Sequence, residues 1–521
     1  MSVSDERNIK VPPFQGSGEL AATGPSDILH GNMPSTTKTP EADIRPSLRR
    51  AVGTGQFFTL AFGTIIGVGW IIYLGYWLAP AGPLGAAIGF GAGTLLIALI
   101  GLCYAEMASM FPVSGGELAY AFEAFGTRAS FATAWILAFI YTAVAGWEGI
   151  AIGVLAENLF PNFGGPVLYT LFDTPVRPGN LALGVGVMAF MVWMNIRGVA
   201  RAARLQDVLT YGFFALCILF IGAGLFFGDA SNLGPALVRD ESGSVLPGII
   251  AAFVTAPFFL AGFDVIPQLM EERAPGTSGR SAALMLLVAV LGAGAFYILI
   301  IVSASMVVPW QRLLEFDRLP AATAFREAFS SPIFSRAVLA AGFIGILTTW
   351  NAVIIAASRV FFAMSRARML PAFLGTIHPR HGSPSGALIF VGLLGGLGVI
   401  LGEGAIAPLV GTATICFGIA FAIVSLGVIK LRRTRPDATR PYKVPGGVPT
   451  AGAAALAAGL FVVLALLDPY EPGGGIPTVW LLLVICLALG GVFWFASARH
   501  RKTVSESERR TLIMGREAPP A

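Results

Sequence analysis

Apolar residues in this chain come in long unbroken runs, separated by short clusters of charge, proline and glycine. A helix that crosses the hydrocarbon core of a bilayer needs about 20 mostly apolar residues, whereas a membrane strand alternates apolar and polar positions over about ten. Runs such as 282–308 and 478–495 are too long and too continuous for strands, so the pattern predicts helices. Twelve spans are expected, near 55–79, 83–108, 131–156, 181–196, 206–228, 247–269, 281–308, 337–364, 385–402, 406–429, 449–467 and 477–496. The connector 309–335 is amphipathic and predicts a short helix lying on the bundle. Residues 1–50 are rich in Pro, Ser, Thr, Gly and charge without periodicity, which predicts a flexible tail with no signal peptide.

Composition agrees with the pattern. Only 12% of the 521 residues are charged, against about 25% in a soluble globular protein. A large soluble enzyme is thereby excluded. Of the 34 Lys and Arg, 27 fall in the tails and the even-numbered connectors and six in the odd-numbered ones, with Arg359 inside a span. Basic loops stay on the cytoplasmic side, so both termini are expected in the cytoplasm of a cell with this multi-pass protein in its cytoplasmic membrane. The net charge of +5 then reflects topology and calls for no nucleic-acid partner. Cys103, Cys217, Cys416 and Cys486 all fall in apolar runs, where packing is expected, while His30, His378, His381 and His500 lie in polar connectors or tails. No metal, cofactor or enzymatic constellation is expected from them.

Two spans look interrupted. The first carries Gly63-Thr64-Ile65-Ile66-Gly67-Val68-Gly69, and the sixth carries Pro257, Gly262 and Pro267 with Asp264 among them. Glycines of this kind can simply let helices pack closely. Under a five-plus-five inverted repeat, however, the first and sixth spans are equivalent, and matched breaks point to a substrate site at the membrane midplane. That organisation divides the chain into a tail (1–50), a first repeat (51–228), a second repeat (246–430), two extra helices (449–496) and a C-terminal tail (497–521).

Further strings follow in order. Tyr104-Ala105-Glu106 precedes Pro112-Val113-Ser114-Gly115-Gly116-Glu117-Leu118-Ala119-Tyr120; Asn195-Ile196-Arg197-Gly198-Val199 joins spans four and five; Gly262-Phe263-Asp264 precedes Glu271-Glu272; and 358–366 reads Ser-Arg-Val-Phe-Phe-Ala-Met-Ser-Arg, ending at Leu370-Pro371. With the first-span glycines, this set resembles the amino acid–polyamine–organocation (APC) family of secondary transporters. The resemblance implies an all-α polytopic membrane protein of twelve transmembrane helices, with a leucine-transporter-like inverted-repeat core and two extra helices. Trp70 stands where that family often has Ile-Phe, and 208–214 lacks the lysine that some proton-coupled members carry.

Backbone freed by a break is tolerable at membrane depth only where it lines a cavity or a ligand. The amides of Val68 and Gly69, with Gly67 allowing close approach, suit a carboxylate; the carbonyls of Ile65, Phe258 and Ala261 suit an ammonium. The resemblance implies that a zwitterionic substrate is held this way, beside Gly262; of the aromatic residues near the breaks, Trp70, Phe258, Phe259 and Phe263, the last is expected as a thin cover. Charges at membrane depth are expected to carry function. Asp264 suits a gate or proton carrier, or else a carboxylate capping freed N–H groups. Glu148, deep in span three, suits a cationic group of the substrate or a polar partner on a neighbouring helix. Glu106 and Arg359 are expected in cytoplasmic closure networks and could pair with each other. Thr348 and Thr349 suit either a sodium site against span one or bonds to their own helix, and Trp350 and Asn351 could line the path.

The expectation is a secondary active amino acid transporter working by alternating access, coupled to protons or to exchange. A polyamine or amino-alcohol carrier and a non-transporting amino acid sensor are the alternatives. Partners are a small amine or amino acid, protons and the lipid bilayer, with a homodimer through the last two spans.

Overall fold

The computed structural model describes residues 48–160, 162–315, 320–329, 332–467 and 477–515. The predicted N-terminal tail thus lies outside the described residues up to residue 47, as do His30, Arg318 and the last six residues. Among the described residues, eleven helices are long and apolar enough to cross a membrane, and Ser385–Val399 is a shorter apolar helix. The chain is a helical, multi-pass membrane protein. A hairpin pairs Tyr169–Leu171 with Thr174–Val176 between spans three and four.

The first span is helical over Thr54–Ile65 and resumes over Gly69–Ile72, with Ile66 in a non-helical conformation (φ −99°, ψ 89°). Helix Leu74–Met110 has 37 residues, too many for one straight crossing, and bends at Gly82 (φ 69°, ψ 172°) between Pro80 and Pro83. The bend separates spans one and two where the hydropathy pattern placed their boundary. It is held by the loop before span six, since Leu84 N–H donates to the Ala236 carbonyl (2.9 Å) and Val238 N–H to that of Ala81 (3.2 Å).

Spans three, four and five are Thr127–Leu159, Pro178–Ile196 and Val199–Phe227. Span six is split into Leu246–Leu260 and Val265–Leu269, followed by a 3-10 turn at Met270–Glu272. Spans seven and eight are Gly279–Val307 and Pro332–Arg366. The connector between them forms helices Trp310–Leu313 and Pro320–Ala328, the second of which packs on spans seven and eight with Phe325 buried. Span nine ends at Val399, three residues before its predicted limit, and Gly402 (φ 71°) turns the chain into span ten, Ile406–Thr434. Spans eleven and twelve are Val448–Leu467 and Thr478–Ala496.

Burial sorts these helices. Spans one, three, six, eight and ten are mostly enclosed, whereas four, five, eleven and twelve turn most of their apolar surface outward. Phe226, Leu456, Leu467 and Phe495 are among the outward side chains. In water such a surface would drive aggregation; against lipid tails it is the expected coat. The enclosed spans therefore surround the centre of the molecule, and the two interrupted ones meet there. Gly262 (φ 118°) sits so close to span one that a Cβ on it would lie 2.9 Å from the Ile65 nitrogen.

Alanine at Gly262 is therefore expected to destabilise the purified protein by at least ~1–3 kcal/mol, from its backbone conformation alone. Alanine at Gly212, a helical position with open space around it, is expected to be neutral or to stabilise by about 0.5–1 kcal/mol. Thermal unfolding midpoints check the contrast, and equal midpoints for the two variants would refute the close approach.

Candidate functional site

Both breaks open onto one cavity. Span one contributes Thr64, Ile65, Gly67, Val68 and Gly69, and span six Phe258, Phe259, Ala261 and Gly262. Span three adds Tyr141, Val144, Trp147 and Glu148; Tyr297, Thr349, Val353 and Phe417 complete the wall. Tyr141, Val144 and Glu148 fall at i, i+3 and i+7, so one face of a helix presents all three.

The backbone at the breaks is partly used and partly free. The Gly67, Val68 and Gly69 N–H groups have no acceptor among the described residues, because the turn removes the carbonyls a continuous helix would supply. The Ile65 carbonyl, a candidate for an ammonium, accepts the Tyr297 hydroxyl (3.1 Å). Thr349 donates toward the Gly63 and Thr64 carbonyls (both 3.3 Å), whereas Thr348 bonds back to Gly345 in its own helix (2.7 Å). The lysine-free stretch of span five places Thr210 and Gln206 against span one, where both reach the Thr59 carbonyl (3.1 and 3.4 Å). Asn351 lies behind the cavity, bonded to Gln206 and Asn195 (both 2.9 Å), and Trp350 packs on Gly149; neither lines the path.

The aromatic cover differs from expectation. Phe263 is turned away from the cavity and packs between Tyr104 and Phe421, with ring centroids 5.2 and 5.3 Å away. With Gly262 folded against span one, the next side chain projects to the opposite side of the break. Phe258 and Phe259 face the cavity instead, edge to face with each other at 4.9 Å, and Trp147 lies edge to face with Phe258 at 6.0 Å. Trp70 is buried against Phe220 and Phe296, outside the site.

Asp264 does not line the cavity. Its carboxylate accepts the Gly262 N–H (2.8 Å), capping the break, and the hydroxyl of Tyr141, which does line it. No cation pairs with it among the described residues. Glu117, which the sequence reading left unassigned, is also buried without a cation and accepts from Gln268. Tyr104 stands beside both acids. Glu148 faces the cavity: it is 1% exposed, its Oε2 has no hydrogen-bond partner, and Oε1 lies 3.8 Å from where a Cβ on Gly67 would stand.

Acids at the arginine-rich end behave differently. Glu106 and Arg359 do not pair with each other. Glu106 binds Arg432 (2.5 and 3.0 Å), Arg440 (3.2 Å) and the Val444 N–H (2.7 Å). Arg359 forms a two-pronged pair with Glu272 (2.7 and 3.2 Å), and about two turns further along span eight Arg366 does the same with Glu271 (both 2.9 Å). The Glu272 carbonyl also accepts Ala51 and Val52 N–H (2.8 and 2.9 Å), tying the chain before span one into the cluster. Glu123 holds Arg435 and Arg510, the latter at 2.7 Å on the C-terminal helix Glu506–Met514. The seven-residue spacing of Arg359 and Arg366 was the available signal for this clasp.

The sequence profile described as amino acid permease matches residues 52–493. The chain is 26% identical over 470 residues to the branched-chain amino acid permease BcaP of Bacillus subtilis (strain 168), covering 88% of this chain and 95% of that protein. It is equally 26% identical over 474 residues to the methylthioribose transporter of the same organism, with 88% and 96% covered. To the human Asc-type amino acid transporter 1 it is 28% identical over 480 residues, with 89% and 87% covered.

Removing one partner of a buried ion pair strands the other and costs about 3–5 kcal/mol. Arg359→Met is expected to lower stability by about that amount, and adding Glu272→Leu to restore most of it. Glu106→Gln combined with Arg359→Met should be additive. Coupling between residues 106 and 359 in a double-mutant cycle, with none between 272 and 359, would contradict the pairing.

Proposed function

The chain belongs to the amino acid permease family of transporters, and from that premise we propose that it is a secondary active carrier of an amino acid or closely related amine, working by alternating access. Membership makes it a multi-pass membrane transporter and not an enzyme. The observation that carries the finer reading is the meeting of two broken helices at one cavity. Spans one and six touch at Gly262 and Ile65, and the unbonded amides of Gly67, Val68 and Gly69 border the space between them. Those amides suit a substrate carboxylate, and the carbonyl edges at Phe258 and Ala261 suit an ammonium.

Matched breaks favour a five-plus-five inverted repeat over 51–228 and 246–430, with 449–496 outside it. The distribution of 27 against six basic residues favours cytoplasmic termini in the cytoplasmic membrane. On that orientation the Glu271–Arg366 and Glu272–Arg359 pairs close the cytoplasmic side, and they must part for inward release. An amine lacking a carboxylate is the second reading, favoured by Glu148 as the one ionisable acid on the cavity wall.

Asp264 is the coupling candidate. Its carboxylate contacts Tyr141 and the Gly262 N–H, the other titratable groups around it are Glu117 and Tyr104, and no arginine reaches it among the described residues. Substrate bound against Tyr141 would act on that hydroxyl's bond to Asp264. Purified protein in liposomes should show saturable counterflow of a radiolabelled amino acid, stimulated by an inwardly directed proton gradient. Asp264→Asn is expected to lose the stimulation and keep exchange. Binding without counterflow would overturn the transport reading, and unchanged pH dependence would remove Asp264 from coupling.

A further inference from the structure

Buried carboxylates need compensation, because desolvation costs an ion several kcal/mol even after relaxation. At the arginine-rich end Glu106, Glu123, Glu271 and Glu272 each obtain it from a guanidinium. Glu148 obtains it from nothing in the fold. Among the described residues no lysine, arginine or histidine lines the cavity, and the buried Oε2 of Glu148 has no hydrogen-bond partner. Six aromatic residues line the same cavity: Tyr141, Trp147, Phe258, Phe259, Tyr297 and Phe417. Aromatic faces attract cations through their quadrupole and repel anions. A lone carboxylate in an aromatic enclosure is therefore a receptor for an organic ammonium.

Its position decides which ammonium. Oε1 stands 3.8 Å from a Cβ position on Gly67, beside the break in span one where the polar head of a substrate would rest. We propose that Glu148 is the counter-ion of the substrate's amino group, and that the cavity selects substrates of net positive charge, basic amino acids and aliphatic amines, over acidic ones. A second carboxylate brought into this enclosure would face Glu148 at low dielectric with no cation between them. A second ammonium would find the carboxylate and the rings together. The inference rests on the reading of this cavity as the transport site.

The test is equilibrium binding to the full chain in lipid nanodiscs, with lysine, putrescine, alanine and glutamate as probes. Lysine and putrescine are expected to bind at least tenfold more tightly than glutamate. Glu148→Gln should weaken lysine and putrescine by tenfold or more and leave glutamate unchanged or improved, while Glu148→Asp keeps the wild-type order. The thermal midpoint of Glu148→Gln should not fall, because no ion pair is broken. A wild-type protein that prefers glutamate, or a Glu148→Gln protein that loses all four probes equally or none, overturns the inference. If lysine and putrescine bind through Glu148 but no amino acid is moved, the amino acid transport reading fails and this one stands. If amino acids are transported and Glu148→Gln leaves their order intact, this one fails alone.

Discussion

In hydrocarbon a backbone N–H or C=O without a partner costs several kcal/mol, since no water can replace the missing bond. A helix meets that demand internally, and each break in one creates a debt of unbonded groups. Spans one and six break against each other. Part of the debt is met by Tyr297 on the Ile65 carbonyl, Thr349 on Gly63 and Thr64, and Asp264 on the Gly262 N–H. The remainder, the amides at Gly67 to Gly69, faces an enclosed space. The molecule thus concentrates its unmet hydrogen-bonding capacity where a polar ligand can supply the partners.

The same accounting separates its carboxylates into two sets. Those at the arginine-rich end are paired, several of them twice, and link segments far apart in sequence: the chain before span one, the end of span six, span eight and the C-terminal helix. They tie those segments together. Glu148, Asp264 and Glu117 are buried without a cation among the described residues; Glu148 lines the cavity and Asp264 bonds to Tyr141, which also lines it. A carboxyl group in a dry interior with no compensating cation responds to whatever ligand or proton arrives. In the proposed transport cycle the paired acids form the gate and the unpaired acids meet the cargo.

Much of this was legible in the residues. Three glycines in seven positions marked the first break, and two prolines around Gly262 marked the second, because neither residue type continues a helix interior without cost. The face of span three was also legible, since Tyr141, Val144 and Glu148 recur at helical spacing. Partnerships across the fold were not. Nothing local distinguishes Glu272 from Glu106 as the mate of Arg359; the choice depends on where Arg432 and Arg440 arrive from beyond span ten. Phe263 escaped for a related reason, as the positive φ at Gly262 reverses the direction of the chain and with it the side facing the cavity. The hairpin at Tyr169–Val176 is short enough that its alternation merges into an ordinary connector.

The claim on which the account depends is that free backbone at the two breaks receives the substrate. A cryo-EM map of the protein saturated with its transported substrate tests it most directly. The account predicts density between spans one, three, six and eight, with polar atoms within hydrogen-bonding distance of the Gly67, Val68 or Gly69 amides. Density at another site, or in this cavity but touching side chains only with those amides unoccupied, would contradict it.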